Sequence, residues 1–245
     1  TVGLATRLGA ILVNSANYWT ISKSITAASI RQVAGGQDTW FHGAVNTNTA
    51  AGIDLNGTNF YFTNAPVTAT SGGGVSITNS GTVLISSNSD MNLDGAFLQD
   101  GTGSVQTGGD ITTTGDAITF TGPVDLSANI RLNTTAGPGA GNVSFLNTLD
   151  ATTAGNRALE VTAGTGNILF NMAVGSGKKL GDILINSAND VTFNGTVDAK
   201  TLTQNAGSGT TTIKALTTLN GDVSLTTGAI TFSGPTASID AGSND

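Results

Sequence analysis

His42 is the only histidine in this chain and Glu160 the only glutamate, and there is no cysteine. A tetrahedral metal site or a nucleophile–base–acid triad therefore lacks its ordinary parts. His42 follows Phe41 in DTWFHGAV, and strand alternation turns it outward as a surface residue. Glycoside hydrolysis instead needs two carboxylates roughly 5–10 Å apart across the scissile bond. The candidates are Glu160 with Arg157 nearby, Asp90 and Asp94 in SDMNLD, and Asp110 and Asp116 in GGDITTTGD. The aspartate pairs lie beside glycine-rich turns, where Asp is favoured on conformational grounds alone, and no basic or aromatic cluster joins them into a cleft. The calcium-binding nonapeptide repeat and the EF-hand loop are both missing. The glycine-rich stretches 71–74, 137–141 and 207–209 lack nucleotide-loop spacing and read as loops. The expectation is a chain without catalytic residues, metal ligands or cofactor, and not an enzyme.

A sharper signal comes from aromatics, and it depends on the elements that carry them. Apolar-x-apolar tripeptides recur along the chain: VSF at 143–145, ILF at 168–170, VTF at 191–193, TTI at 211–213 and ITF at 230–232. Alternation over three to five residues, bounded by Gly, Asn or Asp, predicts very short strands with one buried face. No 3.6-residue period persists long enough for a helix, and glycine and β-branched residues weaken helices further. Taking the third residue of each tripeptide as a core anchor gives the ladder Ile21, Phe41, Phe62, Ile85, Phe120, Phe145, Phe170, Phe193, Ile213 and Phe232. The steps run from 19 to 25 residues, with one of 35 between Ile85 and Phe120. That gap predicts an extra coil with weak anchors, through Val105, and makes 86–116 the irregular region.

The chain also matches itself. Residues 9–41 (GAILVNSANYWT…) align without a gap to 181–213 (GDILINSANDVT…), with about 13 of 33 positions identical. Repeats of about twenty residues carrying two or three short strands predict an all-β fold, a right-handed parallel β-helix of roughly 10–11 coils of 19–25 residues. It would form a single solenoid over 1–245, read as a segment of a longer one or as a stacking subunit. Asx residues three before the anchor (Asp38, Asn59, Asn142, Asn167, Asp190) are expected to bond their own backbone or to take left-handed conformations at a corner.

In this frame the residues just before Phe41, Phe62 and Ile85 face outward on consecutive coils: Trp40, Tyr61 and Leu84. The same count places Thr119, Ser144, Leu169, Thr192, Thr212 and Thr231 at the matching positions of later coils. Tyr18 also points out, while Trp19 points in. Three outcomes are open for the stripe: a platform for sugar rings, a contact with another protein, or cover by a loop within 37–48.

Runs such as GDILINSANDVTFNGTVDAKTLTQNAGSGTTTI and AITFTGPVDLSANI resemble the repeat regions of large bacterial surface exoproteins, the filamentous-haemagglutinin-like and autotransporter-like adhesins. The resemblance implies right-handed β-helix architecture, an extracellular or cell-surface location and a structural or adhesive role. Composition agrees with such a wall. Only 10% of residues are charged, the net charge is −7 and no apolar run approaches a membrane span. Nucleic acid and membrane insertion are therefore not expected. The expected partners are other copies stacked head to tail or adjoining repeats of the same polypeptide, with surface glycans as an alternative.

Overall fold

The computed structural model describes residues 2–3 and 6–242, and all regular structure among them is β. The chain winds as a parallel β-solenoid, each turn laying one short strand on each of three faces in the same order. Among the described residues face one holds eleven strands, from Ile11–Val13 to Ala229–Phe232. Face two begins with Ala16–Ile21 and runs through Leu149–Ala151, then continues through bridges at Val174 and Val197 to Leu216–Leu219 and Ser238–Asp240. Face three runs from Ile25–Ala27 through Leu159–Thr162 and Leu180–Ser187 to Val223–Leu225. In the later turns the eight-residue strands Leu180–Ser187 and Val197–Gln204 extend round the corner between faces two and three.

The tripeptide rule operates as expected. Strands such as Val143–Phe145 and Ile168–Phe170 bury their first and third residues and leave the middle one outside. Buried side chains from all three faces join in one hydrophobic core. On face one Phe120, Phe145, Phe170 and Phe193 stack in turn, with centroids 4.7–5.3 Å apart and planes within 10° of parallel. Identical residues in register thus repeat a favourable aromatic contact at the strand spacing.

The anchor ladder is nevertheless two ladders. Ile21, Phe41, Phe62 and Ile85 lie on face two, where the next rungs are Thr107, Leu126 and Ala151. Phe120 to Phe232 lie on face one, preceded there by Val13, Gln32, Leu55, Ile77 and Gln99. The 35-residue step is a change of face, and Val105 is an ordinary rung between Val83 and Val124. The interval 86–116 is regular: Met91–Leu93, Phe97–Asp100, Ser104–Thr107 and Ile111–Thr113 are all in register with neighbours. Its anchors were hidden because Gln99 and Thr107 occupy core positions. Phe232 also departs from expectation, being half exposed on the terminal rung.

The self-match likewise joins different faces. Ile11 belongs to face one, whereas its counterpart Ile183 belongs to face three. What the two segments share is a corner. Gln32 and Gln204 end their strands pointing inward, and each accepts a hydrogen bond from a buried threonine hydroxyl on the following strand, Thr39 at 2.8 Å and Thr211 at 2.6 Å. A Cβ on Gly35 or Gly207 would overlap the amide of the respective glutamine. The pattern Gln-x-Ala-Gly-x-x-x-Thr therefore encodes a way to turn a corner around a buried amide.

The Asx residues act between turns instead of on their own backbone. Asn142 Oδ1 accepts from Asn167 N–H, Asn167 Oδ1 from Asp190 N–H, and Asp190 Oδ1 from Thr210 N–H. Asn59 repeats this toward Thr82 and donates its own amide to Asp38. At a corner the next turn's N–H has no strand partner, and an Asx oxygen one rung below satisfies it.

Candidate functional site

The carboxylates divide by what holds them. Asp90 Oδ1 accepts from Asp110 N–H, and Asp110 Oδ1 from Arg131 N–H, the same ladder at another corner. Asp94 accepts from Gly72 N–H and from the Thr114 hydroxyl, and these bonds hold its pKa below the usual carboxylate range. Asp116 takes part through its backbone carbonyl, which accepts from the Thr113 hydroxyl. Glu160 faces Arg131 in register and accepts from Asn186 Nδ2 at 2.7 Å, while Arg131 lies 3.6 Å from Asp110. Asp182 accepts from the Thr201 hydroxyl and pairs with Lys200 at 3.6 Å. These groups stabilise turns and rungs. Among the described residues no three His, Cys, Asp or Glu side chains group as a metal site requires.

On face two the outward column is in register as the spacing requires: Thr20, Trp40, Tyr61 and Leu84 on consecutive rungs. Trp40 and Tyr61 stack at 3.9 Å with planes 14° apart, and His42 lies against Trp40 at 5.4 Å. His42 is exposed, with Nδ1 2.8 Å from the Thr63 hydroxyl. Rings stacked this closely use their facing π-surfaces on each other and present edges to solvent. Within 37–48 the chain forms strands Gly35–Phe41 and Val45–Thr47, and the link between them adds the His42 ring beside Trp40, so the column is covered mainly by its own rings. The cover is mutual. Desolvation, reinforced by the charge of Asp38, raises the Tyr61 pKa.

No protein family, curated protein or solved structure matches this chain. The column must therefore be judged on its own chemistry. Beyond Leu84 it continues through Gln106, Asp125 and Asp150, and not through the threonines of face one that the single-ladder count assigned to it. Asp125 and Asp150 stand on adjacent rungs, and Asp150 Oδ1 accepts from the N–H groups of Gly177 and Lys178. Partial desolvation, then the Asp150 charge, raises the Asp125 pKa against the opposing pull of Lys178. Tyr18 lies outside the column, opposite Asp38, is 65% exposed, and donates its hydroxyl to Gln37 Oε1. Trp19 turns toward the core and meets Phe41 edge-on at 5.6 Å. Sequence reasoning missed Gln32, Gln99 and Gln204, although the duplicated Gln–Thr pair was present in the self-match.

Proposed function

We propose that this chain is a structural element of an extracellular bacterial surface protein, a rigid β-solenoid that serves as an adhesin shaft or filament subunit. The observation that carries this reading is the destination of its polar side chains. The candidate carboxylates Asp90 and Asp110 each bond the next turn, in the ladder Asp90–Asp110–Arg131, as the corner Asx residues do in Asn142–Asn167–Asp190–Thr210. Eleven rungs at about 4.8 Å per rung give a rod about 50 Å long. Continuous hydrogen-bonded ladders and a single core suit a chain whose task is to hold shape and span distance.

Location is tested by immunogold labelling of intact producing cells with antibodies raised against this chain. Label on the unpermeabilised surface supports the reading, and label that appears only after permeabilisation overturns it. Glycan binding is the second reading. It draws on the exposed Tyr18 beside Gln37 and on the ring edges of the Trp40–Tyr61 pair, since the stacked faces are already in use. Glycan-array binding that disappears in Tyr18→Ala would favour it over a purely structural role.

A further inference from the structure

We propose that Lys179 and Asn220 join through their side chains in a self-catalysed amide bond, with Asp198 moving the proton and ammonia as the leaving group.

The winding brings these three residues together from distant parts of the sequence. Lys179 immediately precedes the strand Leu180–Ser187, Asp198 is the second residue of Val197–Gln204, and Asn220 follows Leu216–Leu219. Leu180 pairs with Ala199 and Asp198 with Thr218, so the three lie on successive rungs beside face two. Lys179 Nζ is 2.8 Å from Asp198 Oδ1, itself shielded from solvent, and donates to Asn220 Oδ1 at 2.5 Å. Its side chain is 19% exposed, against 58% for Lys200. Lys178 takes a different course and donates to Thr152 O.

A lysine serving only as an ion-pair partner would be satisfied by Asp198. Lys179 reaches past it and meets a carboxamide on the next rung. A C=O bond of about 1.23 Å then holds Asn220 Cγ no more than about 3.7 Å from Nζ, at the edge of near-attack range. An amine nucleophile, an electrophilic carbonyl carbon and a carboxylate that accepts the proton are thus in contact.

The step balances without a co-reactant. Asp198 takes one proton from the Lys179 ammonium, and the freed lone pair attacks Asn220 Cγ. The Nζ–Cγ bond forms and the Cγ–Nδ2 bond breaks. Nδ2 departs as ammonium, carrying the proton held by Asp198 and a second one from Nζ, and Asp198 returns to its carboxylate. Asn220 is exposed, which gives the leaving group a path to solvent. The product ties together residues 41 positions apart and clamps two rung steps of the wall. Closing that loop restricts the unfolded chain and so raises the melting temperature.

The test is intact-mass and tandem mass spectrometry of the purified full chain. The expected result is a mass lower than the sequence requires by one ammonia, with a tryptic peptide pair joined through Lys179 and Asn220 and no cleavage after Lys179. Lys179→Arg, which keeps the charge opposite Asp198, and Asp198→Asn should each retain the full sequence mass, with circular dichroism confirming their β structure. Both should melt below the wild type. A wild-type chain of full sequence mass overturns the proposal. So does loss of ammonia with Lys179 still cleavable, because that marks a succinimide at Asn220–Gly221. An Asp198→Asn chain that still carries the crosslink removes the role given to Asp198. None of these readouts depends on where the rod works, so the proposed location stands or falls separately.

Discussion

Gln32 Oε1 accepts a hydrogen bond from the Thr39 hydroxyl at 2.8 Å, and both residues are buried alongside the hydrophobic core. The amide end donates to Asn56 O at 3.3 Å, so the buried glutamine is satisfied at both ends. Gln204 makes the equivalent bond to Thr211, but its Nε2 is buried without a partner.

The two corners should therefore respond differently. Gln32→Leu leaves the Thr39 hydroxyl unpaired and should cost about 1–3 kcal/mol. Gln204→Leu also removes an unsatisfied amide group and should cost less. Urea unfolding of both variants, with Thr39→Val completing a double-mutant cycle, checks this. Equal costs at the two sites would refute the difference.

The phenylalanine stack should be strongest inside the rod. Phe145 is sandwiched between Phe120 and Phe170, so Phe145→Ala should cost about 3–5 kcal/mol. Phe232→Ala, at a half-exposed position, should lower the melting temperature far less. Thermal unfolding of the two variants under identical conditions makes the comparison.

Removing Tyr61 should bare one face of Trp40. In a Trp19→Phe background, where Trp40 is the sole tryptophan, Tyr61→Ala should red-shift the emission and increase acrylamide quenching. The lost stacking should cost about 0.5–1.5 kcal/mol. Unchanged quenching would show that the stack does not shield the indole.

Two aspartates should have opposite effects of pH. Asp94 has a lowered folded pKa, so its contribution is present above the unfolded value and lost as pH falls through the folded one. Asp94→Ala should lower the melting temperature at pH 7 and do so much less in acid. Asp125 has a raised folded pKa, so its ionised form opposes folding. Asp125→Asn should raise the melting temperature at pH 7, with the gain fading as pH falls through that raised value. Melting curves across pH read both signs.

The strands were legible in the sequence, because burying first and third residues leaves an apolar-x-apolar trace at Val143–Phe145 as at Ile168–Phe170. The register of Trp40 on Tyr61 was legible for the same reason. Face identity was not, since all three faces ask for the same tripeptide. The count therefore passed from Ile85 on one face to Phe120 on another without a visible break. Gln32, Gln99 and Thr107 added to this, because a polar residue reads as exterior until its partner is known. Gln99 is held by Asn79 Oδ1 and by the N–H groups of Thr121 and Gly122, contacts that no spacing rule anticipates.

The stacking of rungs along one axis is tested most directly by a single distance. The chain has no cysteine, so Arg31→Cys with Thr212→Cys places two spin labels alone on the outer wall of face one. Eight rung steps separate these positions, and electron–electron resonance should find them about 38 Å apart in a narrow distribution. A distance below about 25 Å would mean that the chain folds back on itself, contrary to a solenoid of this pitch.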